Sequence, residues 1–134
     1  MPALQTLVLK DRATTPVDHT FTPFEVVGGV AVVVESNGNK ATDSKFSISR
    51  HQTPNKRWKV RQKLEVPVIE MQMINGVNTP VVVDMEYATV EYSFSSKSTT
   101  ASRNNMVGMV YSSQDPTKVL TQKVTVDLEG VWGA

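Results

Sequence analysis

Residues 45–67, KFSISRHQTPNKRWKVRQKLEVP, alternate in character on both sides of Thr53-Pro54-Asn55-Lys56. Alternation with a period of two marks a half-buried strand, and the break is made of turn residues. The stretch therefore reads as two strands joined by a turn. On the second strand Trp58, Val60, Leu64 and Val66 share one face, with Gln62 as the exception. Lys59, Arg61, Lys63 and Glu65 share the other. On the first strand Phe46 and Ile48 point one way, with Arg50 at the end, and Lys45, Ser47, Ser49 and His51 point the other. Pairing the strands gathers Lys, Arg, Ser and His on one surface. From Lys45 to Lys63 there are seven basic residues (Lys45, Arg50, Lys56, Arg57, Lys59, Arg61 and Lys63) and no acid. A solvated face normally mixes both signs. One sign over this length points to a polyanion, with cations for phosphate and small hydroxyls for sugars or base edges.

The rest of the chain makes this local charge stand out. With 14 Lys+Arg and 13 Asp+Glu in all, the residues outside the stretch hold seven bases against thirteen acids. A net charge of +1 thus hides a basic hairpin on an acidic remainder. A length of 134 residues fits one domain, residues 1–134, with its own core. There is no Cys, which excludes disulfides, thiolate zinc sites and cysteine nucleophiles. No apolar run approaches the roughly 18 residues of a membrane span, and Met1-Pro2-Ala3-Leu4-Gln5 has no signal-peptide character, so a soluble, cytosolically made protein with no membrane partner is expected.

In order, Leu4–Asp11 alternates as a strand and Arg12–Asp18 turns. His19–Val27 is strand-like but interrupted by Pro23, which suits an edge. Val30–Ser36 is a strand, and Asn37-Gly38-Asn39 is a hairpin signal leading into the basic pair. Pro67–Met73 extends the meander, Ile74–Pro80 reads as a loop, and Val81–Phe94 as a long strand. Val83, Met85, Tyr87, Thr89 and Glu91 share one of its faces. Ser95–Thr100 is suited to capping a helix whose stripe is Met106, Val107, Met109, Val110 and Tyr111. Asp115-Pro116 reads as a cap and first turn of a second helix, Lys118–Val126, which alternates enough to be a strand instead. About seven strands and then two helices make an α+β chain with an antiparallel sheet. Two short helices are little cover for one sheet face, and an overlong last strand leaves an open edge. Both needs are met if two copies pair edge to edge, which predicts a dimer.

This order of elements resembles the coat proteins of the single-stranded RNA bacteriophages, the leviviruses, nearly end to end. The most specific stretches are Leu7-Val8-Leu9-Lys10-Asp11, Val66-Pro67, Asn75-Gly76-Val77 with Thr79-Pro80-Val81, and Tyr87. Ser98-Thr99-Thr100 followed by Arg103-Asn104-Asn105 is similar to the pseudomonad-type branch. The resemblance implies an N-terminal hairpin on a five-stranded sheet, a dimer with a ten-stranded sheet and interlocked helices, and an icosahedral shell around genomic RNA. The partners it implies are that single-stranded RNA, an RNA hairpin at the replicase start and the protein itself. It also implies a place in the virion after synthesis in the bacterial cytoplasm, and no cofactor.

Carried over by position, the resemblance puts an adenine pocket at Ser47 and Ser49, with Lys45 before them and Val30 as an apolar wall. Lys63 and Glu65 match the family's Lys and acid, and Tyr87 its stacking aromatic. Arg61 stands where a hydroxyl is usual and Thr89 where the best-known relatives have Asn, so the hairpin's sequence is left open. Taken alone, Tyr87 is equally a cross-strand aromatic, Ser47 and Ser49 are ordinary wet-strand residues, and His19 and His51 are isolated surface histidines. An enzyme finds no support: there is no Gly-rich phosphate loop, nucleophile elbow or HExxH. The competing reading is a non-viral RNA- or single-stranded-DNA-binding sheet that does not assemble.

Overall fold

In the computed structural model, which describes residues 1–36 and 42–133, every strand pairs with its neighbour in sequence. The strands are β1 (Leu7–Lys10), β2 (Asp18–Val27), β3 (Val30–Glu35), β4 (Ser44–Gln52), β5 (Trp58–Ile74) and β6 (Val77–Phe94). Two helices follow, α1 (Thr100–Ser113) and α2 (Val119–Thr125). The α+β class read from the sequence is the one found. The expected turn at Asn37-Gly38-Asn39 lies outside the described residues.

The chain divides into two compact units, Met1–Ser93 and Phe94–Ala134. In the first, β2 serves twice. Its opening residues, Asp18–Phe21, pair with β1, and Thr22–Val27 pair with β3. The ladder slips between Pro23 and Glu25, where the missing proline N–H interrupts it. A hairpin and a five-stranded sheet thus share one strand, which is why six strands are seen. The apolar side of the sheet is the side the hairpin covers: Leu7 and Leu9 line a cleft with Ala31, Val33, Phe46 and Ile48. Phe21 and Val33 are among the few buried apolar side chains.

The hairpin is also held by charge. Asp11 Oδ1 accepts from the amides of Val17 (2.9 Å) and Ala13 (3.1 Å), closing the β1–β2 turn. Its Oδ2 accepts from His19 Nε2 at 2.7 Å, and His19 Nδ1 donates to Glu35 Oε2, also at 2.7 Å. With a carboxylate at each ring nitrogen, both contacts favour the doubly protonated imidazolium. The Val17 amide, then His19, hold the Asp11 carboxyl down at about 2. The carboxylates of Asp11 and then Glu35 raise His19 above its ordinary value. A histidine that looked isolated in the sequence therefore ties the β1–β2 turn and β2 to β3.

Three boundaries differ from the sequence reading. The first strand is short, Leu7–Lys10, because Asp11 is drawn into the turn. β5 runs on through Pro67 to Ile74 as a single strand of 17 residues. Ile74–Pro80 is not a loop: Asn75 (φ 51°) and Gly76 (φ 79°) alone make the turn, and Val77–Pro80 already belongs to β6. Positive φ at both central residues is the type I′ requirement, whose twist suits a two-residue hairpin.

In the second unit, Thr99 caps α1, accepting from the Ser102 amide at 3.1 Å while its own amide donates to Ser102 Oγ at 3.0 Å. This is a capping box with Ser in place of the usual Glu or Gln. Arg103 Nη1 donates to the Ser98 carbonyl and hydroxyl at 3.0 and 2.8 Å, fixing the approach to the helix. Asp115 does not cap α2. Its Oδ1 accepts from the Thr117 amide and hydroxyl at 2.9 and 2.7 Å, which makes a turn, and Lys118 is the N-cap. The segment read as a second helix is one, of seven residues, and not the strand its alternation also allowed. Neither helix contains a buried residue, and Met106, Met109, Tyr111 and Leu120 are exposed.

Candidate nucleic-acid interface

The β4–β5 turn sets the register of the basic face. Lys56 N donates to the Thr53 carbonyl and Thr53 N to the Arg57 carbonyl, both at 2.8 Å. Lys56 takes φ 63°, the left-handed position that follows a type I turn in a three-residue hairpin loop. From there Ser49 stands opposite Arg61, Ser47 opposite Lys63, and Lys45 opposite Glu65. On the other side of β4, Val30 faces Ser49, Val32 faces Ser47 and Val34 faces Lys45. Directly opposed residues share a face and lie within contact distance.

The last strand is placed by side chains. Arg57 Nε donates to Ser93 Oγ at 3.1 Å, Lys59 meets Glu91 at 3.8 Å, and Lys63 Nζ sits 4.7 Å from the centre of the Tyr87 ring. As one partner rises in number the other falls, which is antiparallel pairing and puts Thr89 opposite Arg61. All nine residues singled out in the sequence, Val30, Lys45, Ser47, Ser49, Arg61, Lys63, Glu65, Tyr87 and Thr89, therefore fall on one face. Tyr87 is 60% exposed, open enough for a flat ligand to lie on it.

The face is less uniformly positive than residues 45–63 suggested. Acids from outside that span reach in: Glu65 holds Lys63 at 3.2 Å and Glu91 pairs with Lys59. Arg50 lies over the Trp58 ring, 4.7 Å from its centre, and Arg57 is spent on Ser93. Lys45, Lys56 and Arg61 make no ion pair among the described residues. The signal for Glu91 was available, since it alternates in phase with Tyr87. The His19 clamp had no such signal, because it depends on β2 folding back across the sheet.

Chemically, the face offers cations without ion pairs among the described residues, hydroxyls, one apolar wall and an exposed aromatic ring. That set suits single-stranded nucleic acid, whose phosphates and unstacked bases call for both kinds of contact. Among the described residues no cluster of His, Asp and Glu is arranged to hold a metal ion.

Comparison with known proteins agrees in sequence and in fold. Residues 2–132 match the family model described as levivirus coat protein. The chain is 46% identical over 129 residues to the capsid protein of Pseudomonas phage PRR1, covering 96% of this chain and 98% of that one. Its fold superposes on a virus-like particle of bacteriophage ESE058 with a TM-score of 0.82 at 19% identity, covering 98% of this chain and 100% of the other. It also superposes on an unassembled bacteriophage coat protein described as an RNA-binding dimer, with a TM-score of 0.59 at 18% identity, covering 97% and 98% of the two chains. On the near-complete family match and the 46% identity, this chain belongs to the levivirus coat proteins and is a capsid protein of that type.

Proposed function

We propose that this capsid protein pairs with a second copy along β6, that the dimers close into an icosahedral shell around single-stranded RNA, and that a dimer also binds an RNA hairpin and so represses translation of the replicase. The observation that carries the RNA reading is the open face, where Lys45 and Arg61 lack carboxylate partners among the described residues and lie beside the exposed Tyr87. Pairing of copies is supported by β6, an 18-residue strand at one end of the sheet order. An edge of that length invites another strand. Helices with no buried residue, and an exposed apolar tip at Met71, Met73, Ile74 and Val77, offer further surfaces to other copies. One fold relative is described as an RNA-binding dimer. The shell belongs to the virion, and the chain is made in the cytoplasm of the bacterial host.

Two measurements test this reading. Expressed protein should elute as dimers or as particles of megadalton scale, and electron micrographs should show closed shells; a stable monomer would refute it. RNA binding at several salt concentrations should show preference for one hairpin over a scrambled sequence on top of a salt-dependent background. Val110→Asp places an unpaired charge in the α1 stripe and is expected to abolish soluble folded protein. A well-folded monomeric variant would count against obligate pairing.

A further inference from the structure

The cations of β5 differ in what already occupies them. Lys59 leans on Glu91 and Lys63 on Glu65, at 3.8 and 3.2 Å. Arg61, midway between them, is exposed and makes no ion pair among the described residues. Ser49 is opposite it on β4 and Val30 beyond that on β3. The stepping of Lys59–Glu91 and Lys63–Tyr87 puts Thr89 on its other side.

We infer that the row Val30, Ser49, Arg61 and Thr89 reads an unpaired guanine in the bound RNA. The inference rests on the hairpin reading above and adds the identity of the base. A guanidinium has five N–H donors and no acceptor. Guanine presents two adjacent acceptors, N7 and O6, which an Arg fork meets with two hydrogen bonds. Adenine presents N7 beside an amino group, so the same fork would set donor against donor. The hydroxyls of Ser49 and Thr89 donate or accept, and so follow the edge that Arg61 selects. Val30, 37% exposed, gives the ring an apolar wall, and Tyr87 one row away gives a neighbouring base a stacking surface. Lys45 is left for phosphate, since a point charge needs no planar partner.

The test uses the full chain and four pools of RNA stem–loops. Their unpaired positions hold random pyrimidines and one kind of purine: guanosine, inosine, adenosine or 7-deazaguanosine. Guanosine and inosine keep both N7 and O6, and the wild type should prefer them over the other two by about tenfold or more. Arg61→Lys keeps the charge and loses the fork, so it should erase the preference while leaving the salt slope unchanged. A wild type that prefers adenosine, or an Arg61→Lys variant that retains the guanosine preference, would overturn the inference while leaving the hairpin reading intact. Equal weakening of all four pools by Arg61→Lys, with a shallower salt slope, would assign Arg61 to phosphate and overturn it as well. If no pool outcompetes a scrambled single strand, the hairpin reading falls, and this inference with it.

Discussion

The His19 clamp and the Lys45–Arg61 face lie on opposite sides of one sheet and use charge in opposite ways. In the clamp two carboxylates surround one imidazolium, and both ring nitrogens are committed at 2.7 Å. On the open face cations outnumber the acids that reach them, and among the described residues Lys45 and Arg61 pair with none. A charge that has found its partner within the chain holds strands together. One left without a partner is open to a ligand from outside, the role proposed here for Lys45 and Arg61 towards RNA. The difference separates charges that serve the fold from charges left available to a ligand.

The largest effect is expected on the open side. Lys45→Ala should weaken binding to every RNA, cognate or scrambled, by about tenfold if the proposed dimer loses the contact in both copies, and should reduce the salt slope by about one unit per lost phosphate contact. Melting temperature should not change. Loss of hairpin preference with an unchanged slope would show that Lys45 contacts a base rather than a phosphate. On the clamped side the reverse is expected. His19→Ala leaves Asp11 and Glu35 without their shared cation, and should lower the melting temperature by roughly 3–5 °C while RNA affinity stays unchanged. A fall in RNA affinity without a fall in melting temperature would erase the distinction between the two clusters.

A smaller effect is expected with pH. Because His19 is raised above 6.5 when folded, its contribution is complete below pH 6.5 and is lost as pH rises through the raised value. Asp11, lowered from 3.8 to about 2, contributes fully above pH 3.8 and loses that contribution as pH falls towards 2. Thermal melting of the wild type should therefore decline above pH 6.5, and the His19→Ala variant should lack that decline. A parallel decline in both would show that another group titrates there. The smallest effect is expected from Glu65→Gln, which frees Lys63 from its 3.2 Å partner. Binding to all RNAs should tighten about two- to threefold with a steeper salt slope. If only hairpin preference changes, Glu65 touches the RNA rather than restraining Lys63.

The basic hairpin was legible because its information is local. Alternation fixes the faces, and Thr53-Pro54-Asn55-Lys56 fixes the turn, so the pairing of Ser49 with Arg61 and Ser47 with Lys63 follows. Ile74–Pro80 misled because Pro80 ordinarily ends a strand, whereas here the turn is complete within Asn75-Gly76 and Pro80 sits inside β6. Asp115-Pro116 carries the residues of a helix start, but the Asp115 side chain is drawn to Thr117 and the helix begins later. His19 could not be read at all. Its partners are 8 and 16 residues away: Asp11 meets it across the β1–β2 hairpin, and Glu35 only when β2 has also paired with β3.

Strand order in the sheet is the same as strand order in the chain, from β1 to β6. No strand waits for a partner that has not yet been made. Each pairing closes a short loop and so costs little entropy, which favours speed in a class of folds that usually forms slowly. As the chain leaves the ribosome the sheet can grow from its first hairpin one strand at a time. Long-lived half-paired states, the usual source of aggregation in β-rich chains, are thereby kept brief. For a protein needed in many copies at once, this ordering supplies yield as well as shape.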